Sequence, residues 1–262
     1  MRAPSRYDLY ERCAQDPERD VRLLRAIHAG RPRVLAEDFS GTAALSRRWV
    51  RASREARAIA TDLDPEPLRH ARLLPGRRGA RVRAVVADAR AAPGRADVIA
   101  VLNFSIGELH ERRELLDYLR HARSRLRRGG VLAIDLYAGA DAFVLGRTRD
   151  VRPGPHGMRI SYSWEQRHAD PVSGLVVNTM SFRVVRPGSP AVVLRDAFVY
   201  HWRLWSIPEL RDAMLEAGFG MVEVYPRAEH AVDHTGETHV RPFDPADELA
   251  SGVLALVVAR DG

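Results

Sequence analysis

Lysine is absent from this sequence. All 41 basic residues are arginine, set against 34 acidic ones, which gives a net charge of +7 and a pI near 10.2. A basic balance of this size points first to an anionic partner such as nucleic acid. Compositional drift, as in GC-rich genomes, also produces an all-arginine repertoire. The arginines are scattered beside acids, as in Asp16-Pro17-Glu18-Arg19-Asp20, and a solvated surface accounts for them better than a nucleic-acid footprint. Cysteine is nearly absent as well: Cys13 stands alone, so an intrachain disulfide and a cysteine-based zinc cage are excluded. The longest apolar run, Gly252 to Ala259, is far below the ~20 residues that span a bilayer. Met1 to Arg12 is polar throughout, without the apolar core of a secretory signal. Neither phosphate-binding pattern, G-x-x-x-x-G-K-[ST] or G-x-G-x-x-G, occurs.

What is present is ordinary for a globular chain: 262 residues, 45% hydrophobic and 29% charged. That is enough for one large domain or a domain with an insertion, and a cytoplasmic enzyme or binding protein is the expectation. Tyr7 to Ala29 reads as one or two helices broken at Asp16-Pro17, where Asp16 caps and Pro17 opens the second. From Arg33 short apolar runs alternate with helical stretches: Val34 to Ala36, Ala58 to Ala60, Val82 to Ala87, Val98 to Leu102 and Val131 to Leu136. Such runs, without clean alternation, are strands buried on both faces of a parallel sheet. After Tyr137 the period changes to two over Met158 to His168, Leu175 to Val185 and Ala191 to Trp202, which predicts an antiparallel meander of three strands. Ser206-Ile207-Pro208-Glu209 is a capping box opening a last helix, and Met221 to Tyr225 and Gly252 to Ala259 are two closing strands. The expected fold is therefore α/β: a doubly wound, Rossmann-like, mostly parallel sheet with an antiparallel β insertion after the fifth strand. Its organisation is an N-terminal helical cap over residues 1–31, then one domain over 32–262 carrying the insertion at 138–205.

The chemistry gathers at strand ends. The first strand runs into Glu37-Asp38-Phe39-Ser40-Gly41-Thr42-Ala43, a glycine-containing turn into a helix. In doubly wound sheets that turn meets the ligand. Asp62 closes the second strand, where a carboxylate can accept both hydroxyls of a ribose, while Asp64 with Pro65 caps the following helix. Asp88 closes the third. Three acids at successive strand ends without a phosphate cradle suit a cationic nucleoside better than a dinucleotide.

These residues resemble the class I S-adenosylmethionine (SAM)-dependent methyltransferases. Glu37 to Ala43 is similar to their first motif, with Phe39 and Ala43 where glycines are usual. Asp62 matches the ribose-binding acid and Asp88-Ala89 the adenine-side acid position. Leu126-Arg127-Arg128-Gly129-Gly130-Val131-Leu132 resembles the turn before their fifth strand, and Glu216-Ala217-Gly218-Phe219 the one before their sixth. The resemblance covers Arg33 to Leu136 and Ser206 to Ala259. It implies SAM as cofactor, held by Glu37, Phe39, Gly41 and Thr42, by Asp62 and Leu63, by Asp88 and Ala89, and by Asn103 and Phe104. It also implies methyl transfer to an acceptor N, O, S or C, with the enzyme supplying proximity, orientation and a base where one is needed.

Asn103 ends the fourth strand and resembles the Asn or Asp with which some amine methyltransferases accept an amine hydrogen; a plain strand end is the alternative. His110 is the nearest candidate base, and Glu165 a further catalytic candidate in the insertion. Tyr200 and Trp202 share a strand face with Phe198; together with Trp164 on a neighbouring strand and Arg203 they are the expected acceptor site, and Tyr7 and Tyr10 are expected to cover the ligand. A stripe of aromatics is also ordinary core. His230, His234 and His239, with Asp233 and Glu237, match no metal-ligand spacing, and no metal is expected. The leading expectation is a methyltransferase for a small-molecule acceptor, with no membrane partner. The alternatives are an RNA or protein acceptor, a non-catalytic SAM-binding partner or sensor, and a nicotinamide dehydrogenase, which the missing dinucleotide glycines disfavour.

Overall fold

The computed structural model describes residues 4–71, 76–227, 231–232, 238–244, 246–247 and 251–261. The chain forms two compact units. One contains Pro17–Gly139 and the stretch from Trp205 onward; the other contains the residues up to Asp16 together with Ala140–Leu204.

In order along the chain, the elements are α1 (Arg6–Ala14), α2 (Pro17–His28), β1 (Val34–Asp38), α3 (Ala44–Ala52), β2 (Arg57–Asp62), α4 (Pro65–His70), β3 (Val82–Val86), β4 (Ala96–Val101), α5 (Arg112–Arg125) and β5 (Leu126–Gly139). They continue with β6 (Gly146–Pro153), β7 (Arg159–Ala169), β8 (Leu175–Arg186), β9 (Ser189–Arg203), α6 (Ile207–Glu216), β10 (Met221–Pro226), β11 (Ala231–Val232), β12 (Thr238–His239) and β13 (Gly252–Arg260).

The larger unit is built on a seven-stranded sheet in the order β10-β13-β5-β4-β1-β2-β3. The five strands from β5 to β3 are parallel, and β13 runs antiparallel to both β5 and β10. Strand alternation divides its core in two. Leu35, Val98, Ala100, Val131 and Val258 face α2 and α3, where Leu24 and Trp49 are buried. Ala36, Ile99, Leu132, Ile134 and Val257 face α5 and α6, with Leu119 and Met214. Both faces are covered, which is why the strands read as unbroken apolar runs. Strand order reverses beside β1: the chain moves outward through β2 and β3, then returns to place β4 on the other side. The crevice at the carboxyl ends of β1 and β4 is thus the topological switch point, where ligands bind in sheets of this kind. Asp64 caps α4 with Pro65 behind it, and Ser206 caps α6 in a reciprocal box with Glu209, both as expected.

The smaller unit is a four-stranded antiparallel sheet, β6-β7-β8-β9, packed with α1. The expected meander has a fourth strand. β6 escapes sequence reading because it is an edge strand, exposed along nearly its whole length and carrying Arg147, Arg149 and Arg152 instead of an apolar alternation. The expected single cap over residues 1–31 also divides. Leu9 and Cys13 of α1 are buried among Met158, Ile160, Met180, Phe182 and Val184, whereas α2 belongs to the core of the larger unit. Burial pushes the Cys13 thiol up to about 11, so it remains an unreactive apolar group. Among the described residues no helix is long and apolar enough to cross a membrane.

Candidate functional site

The switch point is built from the loop after β1. Phe39, Gly41 and Ala43 all have left-handed backbone, with φ of 55°, 52° and 57°. The chain there coils tightly, its end fixed by the Ala43 amide on the Ser40 carbonyl (2.8 Å) and its start by the Ser40 amide on the Thr61 carbonyl (2.9 Å). Nothing lies within 4 Å of where a Cβ on Gly41 would stand. Its backbone conformation, not crowding, selects glycine, and open space remains beside this loop for a ligand. The Ser40, Thr42 and Thr61 hydroxyls around it are buried and have no hydrogen-bond partner. Buried hydroxyls are rarely left so, and three of them beside one loop point to polar atoms of a ligand or its water.

Two acids close on this loop. Glu37 accepts from the Ser46 amide at the start of α3 (2.8 Å) and is buried; burial lifts its carboxyl to about 7, against the Ser46 hydrogen bonds that pull it down. A carboxyl so placed ionises readily once a cation arrives. Asp62 accepts from the Gly41 amide (2.6 Å) through one oxygen and from the Asp64 amide (2.9 Å) through the other, and burial raises it too. A carboxylate has about four lone-pair sites. Each oxygen of Asp62 therefore keeps one for a ligand, and the two amides fix the direction in which it is offered. Leu63, next in the chain, is exposed. The neighbouring acid in the first motif, Asp38, is structural: it is buried against Arg125 (2.7 Å) and the Tyr118 hydroxyl (3.0 Å) and anchors β1 to α5.

Asp88 lies just past the end of β3, where it caps the short turn Ala89–Ala91, and its carboxylate is engaged. It accepts from the amide of Arg90 (2.8 Å) and from its guanidinium (2.6 Å), which also reaches Glu114, and the hydrogen bond to Arg90 holds its carboxyl below the usual range. Ala89 beside it is buried.

At the end of β4, Asn103 and Phe104 are both left-handed, with φ of 60° and 64°. For a residue as bulky as Phe this is a true outlier. The Asp135 carboxylate on β5 holds it, accepting from the Asn103 amide (3.0 Å) and the Phe104 amide (2.7 Å). Burial pushes Asp135 up while Arg227 and the two amides pull it down. Arg227 bonds Asp135 (3.0 Å) and Asp20 of α2 (2.6 Å), and all three are buried. Sequence reading missed Asp135 and Arg227. The available signal was a lone acid inside the apolar run Ile134-Asp135-Leu136, where only a paired charge survives. The Phe104 ring meets Tyr137 edge to face at 5.1 Å. His110 follows on the same unit, in the connection between β4 and α5.

The acceptor-side candidates lie in the smaller unit. Tyr200 stacks on Trp202 at 4.5 Å and on Trp164 at 5.7 Å, and Phe198 links this ladder to Tyr10 (5.1 Å) and Tyr7 (5.8 Å). Glu165 does not stand with them. Alternation turns it to the opposite face of β7, where Arg147 (2.8 Å) and Arg167 (3.0 Å) bind it and hold its carboxyl low; a carboxylate so occupied is a poor base. Arg203, one residue beyond Trp202, is likewise on the alternate face. His230 and His234, with Asp233 and Glu237, lie outside the described residues. His239 is exposed in β12. Among the described residues no group of His, Cys, Asp and Glu side chains is arranged to hold a metal ion.

No protein-family model matches the sequence, and no curated protein does. Solved structures do match over the whole chain. DesVI of Streptomyces venezuelae superposes with a TM-score of 0.68 at 17% identity, over 98% of this chain and 93% of that one. An S-adenosylmethionine-dependent methyltransferase from Clostridium acetobutylicum gives 0.68 at 17% identity, over 97% of each chain. The sugar N-methyltransferase KedS8 of a Streptoalloteichus species gives 0.66 at 19% identity, over 100% of this chain and 96% of that one. At these identities the likeness is one of fold: the chain has the Rossmann-like fold of the class I SAM-dependent methyltransferases.

Proposed function

We propose that this protein is a SAM-dependent methyltransferase acting on a small-molecule acceptor. The observation that carries the reading is the Asp62 carboxylate, aimed by the Gly41 and Asp64 amides, beside three buried hydroxyls that lack partners. Those groups fit a polar, cationic nucleoside. Asp62 would take the ribose diol on its two remaining lone pairs. Glu37 would balance the ammonium of the methionine moiety, and its raised pKa means that binding expels a proton. Ser40, Thr42 and Thr61 would supply hydroxyl contacts. The Asp88-Ala89 turn would border the adenine side, with Arg90 having to yield part of Asp88 for its carboxylate to contribute. Bound there, SAM supplies an electrophilic methyl group.

The rest is positioning. The turn of Asn103 and Phe104, locked by Asp135, would present the Asn103 amide oxygen to a hydrogen of the acceptor, and His110 is the base for an acceptor that must lose a proton. KedS8, described as a sugar N-methyltransferase, and CalS10 of Micromonospora echinaspora, described as an amino pentose methyltransferase with SAM bound, share the fold. They make amines of small molecules the first acceptors to try.

Calorimetry of the purified protein tests the reading. SAM and S-adenosylhomocysteine should each bind at one site and release protons near neutral pH, and NAD should not bind. No heat with SAM, or tighter binding of NAD, overturns it.

A further inference from the structure

The two faces of the four-stranded sheet differ in chemistry. One carries the apolar core with α1 and the aromatic ladder. The other is polar and holds a groove of about 600 Å³ lined by five arginines and three serines. Two irregularities shape it. β7 has an extra residue at Arg167, between Gln166 and His168, and β9 bulges between Leu194 and Phe198 opposite Ser181. Bulges bend a strand and re-aim its side chains. Here Asp196 on the β9 bulge receives both guanidinium nitrogens of Arg167 on the β7 bulge (3.0 and 2.6 Å), and its amide donates to the Ser181 hydroxyl (3.0 Å).

The charges in the groove are unequal. Arg147 and Arg167 are matched by Glu165 and Asp196. Arg149, Arg183 and Arg195 form no ion pair among the described residues. Their placement is ordered by strand register: Arg149 pairs across to Ser163, Ser163 to Ser181, and Ser161 to Arg183. Arg149 and Arg195 thus stand on the two edge strands, with two serine hydroxyls between them and Arg183 one step along. Neighbouring strands are ~4.8 Å apart and next-but-one residues ~6.8 Å, so three long guanidinium arms converge on one floor of hydroxyl donors.

We propose that this groove is a binding site for a small molecule bearing two phosphate groups, a site separate from the methyl-transfer reading and independent of it. The donor set is what doubly charged tetrahedral oxyanions require: forked guanidiniums and hydroxyls, with no unpaired carboxylate to repel them. Three uncompensated charges exceed what one carboxylate needs. The observations favour a small ligand over a nucleic acid. Tyr162 and Phe182 border the groove, but both pack into the apolar core with α1 and present no open ring face on which bases would stack, and the free guanidiniums form a compact cluster instead of a track.

The test is calorimetry of the whole protein with inorganic pyrophosphate at about 0.15 M salt, where long-range attraction is screened. Saturable single-site binding is expected, weakened about tenfold or more by Arg149→Gln and by Arg183→Gln, each of which removes one charged donor. Arg128→Gln, the same charge loss at an exposed position of β5 in the other unit, should leave it unchanged, and unfolding curves of the groove variants should match the parent because both side chains are exposed. Absence of saturable binding at millimolar pyrophosphate overturns the proposal. So does equal weakening by Arg128→Gln, which would reduce the effect to net charge, and so does tight binding of a single-stranded RNA with none of pyrophosphate, which would make the face a nucleic-acid surface.

Discussion

Replacing Asp135 with Asn removes a charge and leaves the shape, and its effect follows from what the carboxylate holds. Asp135 accepts two backbone amides and one guanidinium nitrogen. Removing one member of a buried pair typically costs about 3–5 kcal/mol. Arg227 keeps Asp20, so the lower end, about 3 kcal/mol, applies. The local consequence is larger than the global one. Asn103 and Phe104 have left-handed backbone, a conformation that costs about 1–3 kcal/mol per strained residue and persists only where the surroundings impose it. With an amide in place of the carboxylate, one acceptor is lost and the turn relaxes. SAM affinity should then fall more than tenfold, and the urea midpoint should drop by the equivalent of about 3 kcal/mol. A second substitution isolates the strain. Phe104→Gly removes the Cβ penalty of about 1–2 kcal/mol and gives up the contact with Tyr137. The relief is available only where the turn is held strained, so the substitution should be less damaging in the parent than in the Asp135→Asn background, and a double-mutant cycle reads the difference. If Asp135→Asn binds SAM as well as the parent does, or if Phe104→Gly costs the same in both backgrounds, the carboxylate is core filler and the reasoning fails.

Asp62→Ala should weaken SAM binding about ten- to hundredfold in calorimetry while the protein stays folded, through loss of charge-assisted contacts of about 1.5–3 kcal/mol. Asp64→Ala should instead cost about 1 kcal/mol of stability, since its side chain caps α4 through the Glu66 amide (2.8 Å); the reverse pattern would exchange their roles. Glu37 keeps its proton to about 7 when folded, against an ordinary value near 4.5. The folded state thus binds more protons than the unfolded one between those values, so stability should fall by about 3 kcal/mol as pH rises from 4.5 to 7. Glu37→Gln should flatten that slope in melts across pH, and an unchanged slope would assign the titration elsewhere. Trp202 is 3% exposed, so Trp202→Ala should cost about 3–5 kcal/mol in urea unfolding. A variant as stable as the parent would mean that the aromatic ladder is not core.

The parallel sheet was readable because strands covered on both faces must be continuously apolar, and the runs at Val34, Ala58, Val98 and Val131 have no other use. The acids at strand ends were readable for the complementary reason: a carboxylate next to such a run has little to do but cap or bind. β6 was hidden because an exposed edge strand carries no hydrophobic signal. The partner of α1 was hidden because periodicity tells which face of a helix is buried, and Leu9 and Cys13 fit either core equally well. Glu165 was misplaced by adjacency: neighbours in a strand point apart, so standing next to Trp164 put it on the wrong side. The Asp135–Arg227–Asp20 chain joins residues far apart in sequence, and only the odd acid at its centre was visible.

The partnership of α1 with β7 and β8 also has a consequence during synthesis. α1 leaves the ribosome before any of the strands it packs on, and its apolar face waits for Met158 through Val184, the last of them about 170 residues later. At ordinary translation rates of about 5–20 residues per second, that is roughly ten to thirty seconds. Over that interval the larger unit can begin to assemble from α2 to β5, so the smaller unit is finished by a segment threaded in advance of everything between. Leu9 and Cys13 are the residues that a nascent-chain chaperone would find exposed.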